Sequence, residues 1–256
     1  MSIIIKNIDC IEGLKDIEPE SIDVVVTSPP YNIGTAYKHY KDNLQLSAYQ
    51  LWCRSWLNAL YKVLKPDGSL FLNLGSKPTE PLIPYKVLGV AIDSNYHLQN
   101  TIHWIKSITV KGNTSGHYKP INSPRFVNDC HEYIFHLTKT GKVTLDRLSI
   151  GVPYADTSNV DRWGSKSNLH CRGNNWYIPY STIQSRKDQR PHPATFPMEL
   201  PLMCIKLHGV NSDMTVLDPF NGIGNTGLAC KELNINYIGF EIDNDYYKES
   251  EMRLNG

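Results

Sequence analysis

The sequence predicts an α/β fold, a mostly parallel sheet covered by helices on both faces and built as a single domain of 256 residues. Three observations carry this. Five short apolar runs, Ile22–Val26, Ser69–Leu74, His131–Leu137, Thr215–Leu217 and Tyr237–Phe240, have the length and continuity of buried strands. Leu46–Leu64 has the length and apolar spacing of an amphipathic helix. The run at Thr215 passes through a glycine-rich turn into the helix-like stretch Leu228-Ala229-Cys230-Lys231-Glu232-Leu233, the strand–turn–helix unit from which parallel sheets are built.

The first strand, Ile22-Asp23-Val24-Val25-Val26, stops at Thr27-Ser28-Pro29-Pro30-Tyr31. Two consecutive prolines fix φ and carry no N–H, so the Pro29 carbonyl can face a pocket as an uncommitted acceptor, with the Ser28 hydroxyl as a second. Acceptors placed this way suit an amine on an aromatic base, whose lone pair is delocalised into the ring and must be drawn toward tetrahedral geometry before it can attack. Tyr31 offers a face for stacking an extruded base, a role for the ring and not the hydroxyl. A Ser-Pro-Pro turn can also simply end a buried strand, and the motif alone leaves both readings open.

Within the helix, Trp52, Trp56 and Leu60 recur at four-residue steps and read as core. Residues 108–128 and 149–192 lack sustained periodicity and are rich in Gly, Asn, Ser, Thr, Pro and Arg, as functional loops are. The loop Gly112-Asn113-Thr114-Ser115-Gly116 reads either as closing over DNA or cofactor or as merely flexible. Arg162-Trp163-Gly164 and Arg172-Gly173-Asn174-Asn175-Trp176 combine guanidinium forks, amides and aromatic rings. Arginine can read guanine and asparagine adenine in the major groove. Residues 145–190 are therefore assigned to target recognition, with Arg162, Lys166, Arg172, Asn174 and Trp176 as candidate DNA contacts; Trp163 and Trp176 equally suit anchors of a long loop.

Residues 215–227 read Thr-Val-Leu-Asp-Pro-Phe-Asn-Gly-Ile-Gly-Asn-Thr-Gly, and Gly222, Gly224 and Gly227 have the spacing of a nucleotide-binding turn. The next strand ends in Glu241, about twenty residues on, where a ribose diol needs an acidic partner. These features name an adenosine, carried by NAD or by S-adenosylmethionine, and not a reaction.

Composition sets limits. The hydrophobic fraction is 41%, ordinary for a soluble globular domain, and no apolar run reaches the roughly twenty residues of a membrane helix. The opening Met1-Ser2-Ile3-Ile4-Ile5-Lys6 lacks a secretory pattern, and six dispersed cysteines without a C-x-x-C pair indicate reduced thiols, a cytoplasmic setting and no zinc site. Net charge is only +1, but residues 101–147 hold seven basic groups against three acids and residues 161–192 six against two. A basic face from the middle of the chain suits a phosphate backbone.

Taken together, the Ser28-Pro29-Pro30-Tyr31 turn and the Asp218-Pro219-Phe220 opening of the glycine turn resemble the amino-methylating DNA methyltransferases. The catalytic tetrad precedes the cofactor turn, the circularly permuted order of the β group. Asn7-Ile8-Asp9-Cys10 resembles that family's adenine-contacting segment, Val63-Leu64-Lys65-Pro66-Asp67-Gly68-Ser69-Leu70 its helix-turn-strand after the catalytic loop, and His192-Pro193-Ala194-Thr195-Phe196-Pro197 the segment closing over the methionine end of the cofactor.

The resemblance implies a Rossmann-like methyltransferase fold and S-adenosyl-L-methionine as cofactor. Asp9, Cys10, Thr195, Phe196, Pro197, Asp218, Pro219, Phe220, Gly222, Gly224, Asn225, Thr226 and Glu241 would bind it, and Ser28, Pro29, Pro30 and Tyr31 would be catalytic. Double-stranded DNA is the implied partner, with a restriction endonuclease as possible companion, for a monomer or homodimer. A serine opening the tetrad is commoner among the family's cytosine-N4 enzymes, so cytosine N4 is favoured over adenine N6. The thiolate motif of carbon-5 methylation is absent. The rival classes are a NAD-dependent oxidoreductase and a non-catalytic DNA-binding protein.

Overall fold

The computed structural model describes residues 1–35, 40–118, 120–156, 160, 167–179 and 195–256. Among them one eight-stranded sheet runs in the order β1-β12-β11-β2-β3-β7-β4-β10. Its strands are β1 (Ile3–Asn7), β2 (Ile22–Thr27), β3 (Leu64–Leu74), β4 (His97–Ile105), β7 (His131–Thr138), β10 (Asn175–Tyr177), β11 (Thr215–Asp218) and β12 (Asn236–Glu241). All neighbours pair parallel except β7, which is antiparallel to both β3 and β4. The ribbon β5 (Ser107–Val110) and β6 (Asn113–Gly116) and the pair β8 (Val152–Pro153) and β9 (Leu169–His170) lie outside this sheet.

The five predicted strands are all present, and each buries side chains on both faces because helices cover both. Along β2, Val25 joins one core while Val24 and Val26 join the other. The first core holds α1 (Cys10–Lys15), α2 (Leu46–Val63) and α3 (Ile83–Asp93); the second holds α4 (Glu199–His208), α5 (Asn225–Leu233) and α6 (Asn244–Asn255).

The sequence reading missed β1, β4, β10, the two small ribbons, α1, α3, α4 and α6. Strand β4 is His-Leu-Gln-Asn-Thr-Ile-His-Trp-Ile, with little apolar continuity, and it is a strand because β7 and β10 pair with it on either side. The predicted helix-turn-strand at 63–70 is tighter than expected, since α2 ends at Val63 and β3 begins at Leu64. No helix among the described residues is long and apolar enough to cross a membrane.

Parallel pairing delivers the carboxyl ends of β1, β2, β11 and β12 to one edge, where ligands of such sheets bind. The motifs at Asn7, Thr27, Asp218 and Glu241 therefore converge, though they are up to 234 residues apart in the chain.

Candidate active site

At that edge lies a cleft with an empty volume, open mouth included, of about 1040 Å³, lined by apolar side chains with a few polar groups. Strand β1 leads into Asp9 and Cys10, β2 into Ser28 and Pro30, β11 into Pro219, Phe220 and Gly222, and β12 into Glu241 and Asp243. Thr195, Phe196 and Asn225 complete the predicted residues on its walls.

The glycine turn is built from beneath. The carboxylate of Asp218, 1% exposed, accepts from the Thr27 hydroxyl at 2.7 Å, the Thr226 hydroxyl at 2.7 Å and the Phe220 N–H at 3.1 Å. It joins the end of β2 to the turn after β11. Burial pushes its carboxyl up to about 6, partly offset by those hydrogen bonds. Gly224 caps α5 at φ 82°, and a Cβ on Gly227 would lie 2.7 Å from Leu254 and 2.8 Å from Tyr237, so the helix could not pack so closely on its strand. Arg253 of α6 also holds the turn, through the Ile223 carbonyl and the Asn225 side chain.

This geometry corrects the cofactor assignment at four positions. Asp218, Gly224, Thr226 and Pro197 do not line the cleft; the first three shape the turn under it. Pro197 precedes α4, its carbonyl accepting from Leu200 N–H. Asp9 lines the wall and also caps α1, accepting from Ile11 N–H at 2.8 Å. Burial pushes the Cys10 thiol up, leaving it a neutral apolar wall group.

Glu241 accepts from Gly222 N–H and Asp243 N–H, both at 2.8 Å, one on each oxygen. Each oxygen keeps lone pairs for a ligand hydroxyl. Burial, then the nearby charges of Asp243 and Asp218, raises its carboxyl to about 7 against the pull of the two backbone bonds. Ile8, Ile223, Ile242, Phe240 and Tyr246 supply apolar wall around it. The chemistry of these donors and acceptors fits a nucleoside with a ribose diol.

The tetrad stands beside this cleft, with Ser28 and Pro30 on its wall and the other two predicted catalytic residues, Pro29 and Tyr31, not lining it. Tyr49 Oη donates to the Pro30 carbonyl at 2.8 Å, while no described residue donates to the Pro29 carbonyl. The segment after it is pinned by the buried Asp42, whose carboxylate takes the N–H groups of Asn32 at 2.7 Å, Ile33 at 3.2 Å and Thr35 at 2.8 Å.

Tyr31 departs from expectation. Its hydroxyl lies 2.7 Å from Ser28 Oγ, 2.9 Å from Glu132 Oε2 and 2.7 Å from Asn73 Nδ2, so it is part of a polar network and not only a stacking ring. Lys106 lies 2.9 Å from the other oxygen of Glu132. Burial alone would raise Glu132, but the Lys106 ammonium, with hydrogen bonds from Lys106, Asn73 and Tyr31, outweighs it and holds the carboxyl below the usual range.

Asn73, Lys106 and Glu132 carry no motif, and sequence reasoning missed them. The antiparallel strand β7 begins where β3 and β4 end, and this register alone brings them to Tyr31. Trp52, read as core, is half-buried and lines the cleft with Phe220, ring centroids 5.6 Å apart, while Trp56 and Leu60 are core as expected. Asp243 was legible in principle, as an N-cap two residues beyond Glu241.

The recognition assignment is altered too. Trp176 is 1% exposed, packed with Ile102, Trp104 and Ile134, and its Nε1 donates to Gly173 O; it is an anchor and cannot reach DNA. Arg172 and Asn174 are exposed, yet Arg172 Nε donates to Ile150 O at 3.0 Å and Asn174 Nδ2 to Thr101 O at 2.9 Å. Arg162 and Lys166 lie outside the described residues, as do Trp163 and His192-Pro193-Ala194.

Residues 22–252 match the family described as DNA methylase, and the chain belongs to that amino-methylating family. It is 32% identical to the Type II methyltransferase M.HpaI of Haemophilus parainfluenzae over 249 residues, 96% of this chain and 72% of that protein. With the Type II methyltransferase M.SmaI of Serratia marcescens it shares 27% identity over 281 residues, 96% of this chain and 88% of that one. Among solved structures it superposes on the PvuII DNA methyltransferase (cytosine-N4-specific) with a TM-score of 0.75 at 24% identity, covering 99% of this chain and 86% of that chain. M1.HpyAVI in complex with SAM gives 0.61 at 22%, covering 98% and 100%. These likenesses establish the Rossmann-like methyltransferase fold.

Proposed function

We propose that the protein transfers a methyl group from S-adenosyl-L-methionine to the exocyclic amine of a base flipped out of double-stranded DNA, cytosine N4 in preference to adenine N6. The observation that carries this is the placement of Ser28 and Pro30 on the wall of the cleft that Glu241 also lines, with Pro29, to whose carbonyl no described residue donates, between them in the chain. Family membership removes the NAD reading that glycine spacing alone left open. Ser28 favours cytosine, and so does the likeness to a structure described as cytosine-N4-specific. Digestion of methylated DNA to nucleosides and mass spectrometry of the modified base tests the choice: N6-methyladenine would overturn it. Relatives named Type II methyltransferases support site-specific DNA as substrate and a restriction endonuclease as companion.

Bound in the cleft, the cofactor supplies an electrophilic methyl on a sulfonium. Glu241 accepts from the ribose hydroxyls, and Ser28 and the Pro29 carbonyl take the amine's N–H bonds, holding its lone pair toward the methyl. Nitrogen gains the methyl, the C–S electron pair stays on sulfur, and the amine gives up one proton to water at the open mouth of the cleft.

Two results are expected on binding. Glu241→Ala should weaken the cofactor's affinity by about 1–3 kcal/mol, since charge-assisted bonds to hydroxyls are lost. Because burial raises this carboxyl to about 7 and ribose binding favours its ionised form, affinity should rise with pH and level off only above about 7. Calorimetry at pH 6 in two buffers of different ionisation enthalpy should register proton release on binding; none in wild type, or as much in Glu241→Ala, would remove Glu241 from the ribose site.

Recognition is assigned to residues 145–190, of which Arg172 is the testable member. Arg172→Ala should weaken DNA binding and leave cofactor affinity intact. A loss independent of DNA sequence, with a shallower salt dependence, would make it a phosphate contact and end its base-reading role.

A further inference from the structure

Ser28, Tyr31, Asn73, Glu132 and Lys106 form a line of hydrogen bonds running from the cleft to the end of β4. At its inner end Lys106 Nζ lies 2.9 Å from Glu132 Oε1. The other oxygen, Oε2, receives Asn73 Nδ2 at 2.7 Å and Tyr31 Oη at 2.9 Å. An ionised carboxylate only accepts. The single hydroxyl proton of Tyr31 therefore points at Glu132, and the tyrosine oxygen is left to accept.

Among the described residues, Asn73 Nδ2 and Ser28 Oγ also lie beside it, both at 2.7 Å. The Asn73 amide cannot be turned round, because its oxygen would then face Glu132. Ser28 in turn must donate its one proton to Tyr31. Ser28 Oγ is thereby left to accept, and beyond one long contact from Asn73 Nδ2 at 3.5 Å it keeps a lone pair for the cleft. The opposite polarity would set a tyrosine lone pair against Oε2 at 2.9 Å.

We propose that Glu132, tethered by Lys106, is a positioning residue that fixes the direction of this hydrogen-bond chain and so commits Ser28 to accept from the target amine. The inference rests on the reading of the tetrad as the amine-holding turn. Glu132 touches neither cofactor cleft nor base; it acts through Tyr31. The ion pair is assembled by topology, since β7 is antiparallel and starts beside the last residues of β4, with Trp104 and Glu132 in register.

Glu132→Gln is the informative change. Beside the Lys106 ammonium the new amide would turn its oxygen to the lysine and its NH₂ to Tyr31. The Asn73 amide, now facing an NH₂, would be free to turn, the tyrosine proton would be shared between Asn73 and Ser28, and the serine proton would no longer be drawn away from the amine it should receive. The measurement is single-turnover methyl transfer from labelled S-adenosylmethionine to unmethylated mixed-sequence genomic DNA, both at saturation, with S-adenosylhomocysteine binding followed by calorimetry.

Glu132→Gln is expected to slow the saturated rate about 10- to 100-fold without changing the S-adenosylhomocysteine dissociation constant. Tyr31→Phe, which cuts the chain, should slow it comparably, and the double variant should be no slower than the slower single one. Lys106→Met should slow it as well, and Lys106→Arg should recover most of that loss; this pair leaves the carboxylate in place should Glu132→Gln fail to fold. A wild-type rate in Glu132→Gln, a double variant slowed by the product of the two single effects, or a loss confined to the KM for DNA would each overturn the proposal. A wild-type rate in Ser28→Ala would instead overturn the reading of the tetrad beneath it.

Discussion

Ser28→Ala is expected to lower the single-turnover methylation rate about 10- to 1000-fold, equivalent to about 1.4–4 kcal/mol in the barrier. On the proposed function the change removes one of two acceptors for the amine and leaves the Pro29 carbonyl in place, so activity should fall and not vanish. Folding and cofactor affinity should barely move. Ser28 is only partly buried, and its loss leaves Tyr31 still bonded to Asn73 and Glu132. A wild-type rate with chemistry shown to be limiting would mean that the turn works through its backbone alone. The preference for cytosine N4 would then lose its physical support, because it rests on that hydroxyl.

The largest effect on stability is expected at Asp218. Alanine there strands the hydroxyls of Thr27 and Thr226 and the N–H of Phe220 in a fully buried place, at a cost of about 3–5 kcal/mol. Cofactor binding should weaken with it, since the turn that carries Phe220 and Gly222 to the cleft loses its support. Asp218→Asn should be much milder, as one oxygen remains to accept from Thr27 and Phe220 while the Thr226 hydroxyl can rotate to accept.

The pH dependence separates charge from hydrogen bonding. The folded carboxyl, at about 6, lies above its ordinary 3.8, so the folded state holds the proton more tightly than the unfolded one. The stability of wild type relative to Asp218→Asn should therefore decline as pH rises between those values. Chemical denaturation at pH 4 and pH 7 measures it; a difference that grew with pH would mean that the ionised form is the stabilising one.

How much of the site could be read from the chain depended on whether its parts are local. Ser28-Pro29-Pro30-Tyr31 and the turn from Asp218 to Gly227 were legible because fixed φ, a missing N–H and closely spaced glycines are properties of adjacent residues. Glu241 was legible by its interval from the glycines. The roles within these motifs were less so. Asp218 and Thr226 are turned inward to each other and away from the cleft, and sequence spacing cannot distinguish a carboxylate that supports a turn from one that meets a ligand.

Trp52 and Trp176 show the same limit from opposite sides. Helical spacing put Trp52 in the core with Trp56, yet the helix meets the cleft at that point and leaves its ring on the wall. Composition put Trp176 among DNA contacts, yet pairing of β10 with β4 carries it inside.

The sequence by itself determined the α/β class, the five buried strands it named, and the places of the Ser-Pro-Pro-Tyr turn and the glycine turn at strand ends, because each follows from apolar runs or from backbone chemistry within a few residues. Tertiary structure alone decided the rest. A polar strand such as β4 exists only through its two neighbours, and β7, the antiparallel strand of the eight-stranded sheet, sets Glu132 beside Lys106, Asn73 and Tyr31 from elements otherwise far apart in the chain. Hydrogen-bond direction and the ionisation of a buried carboxyl depend on which groups meet in space, and strand order across the sheet fixes those meetings.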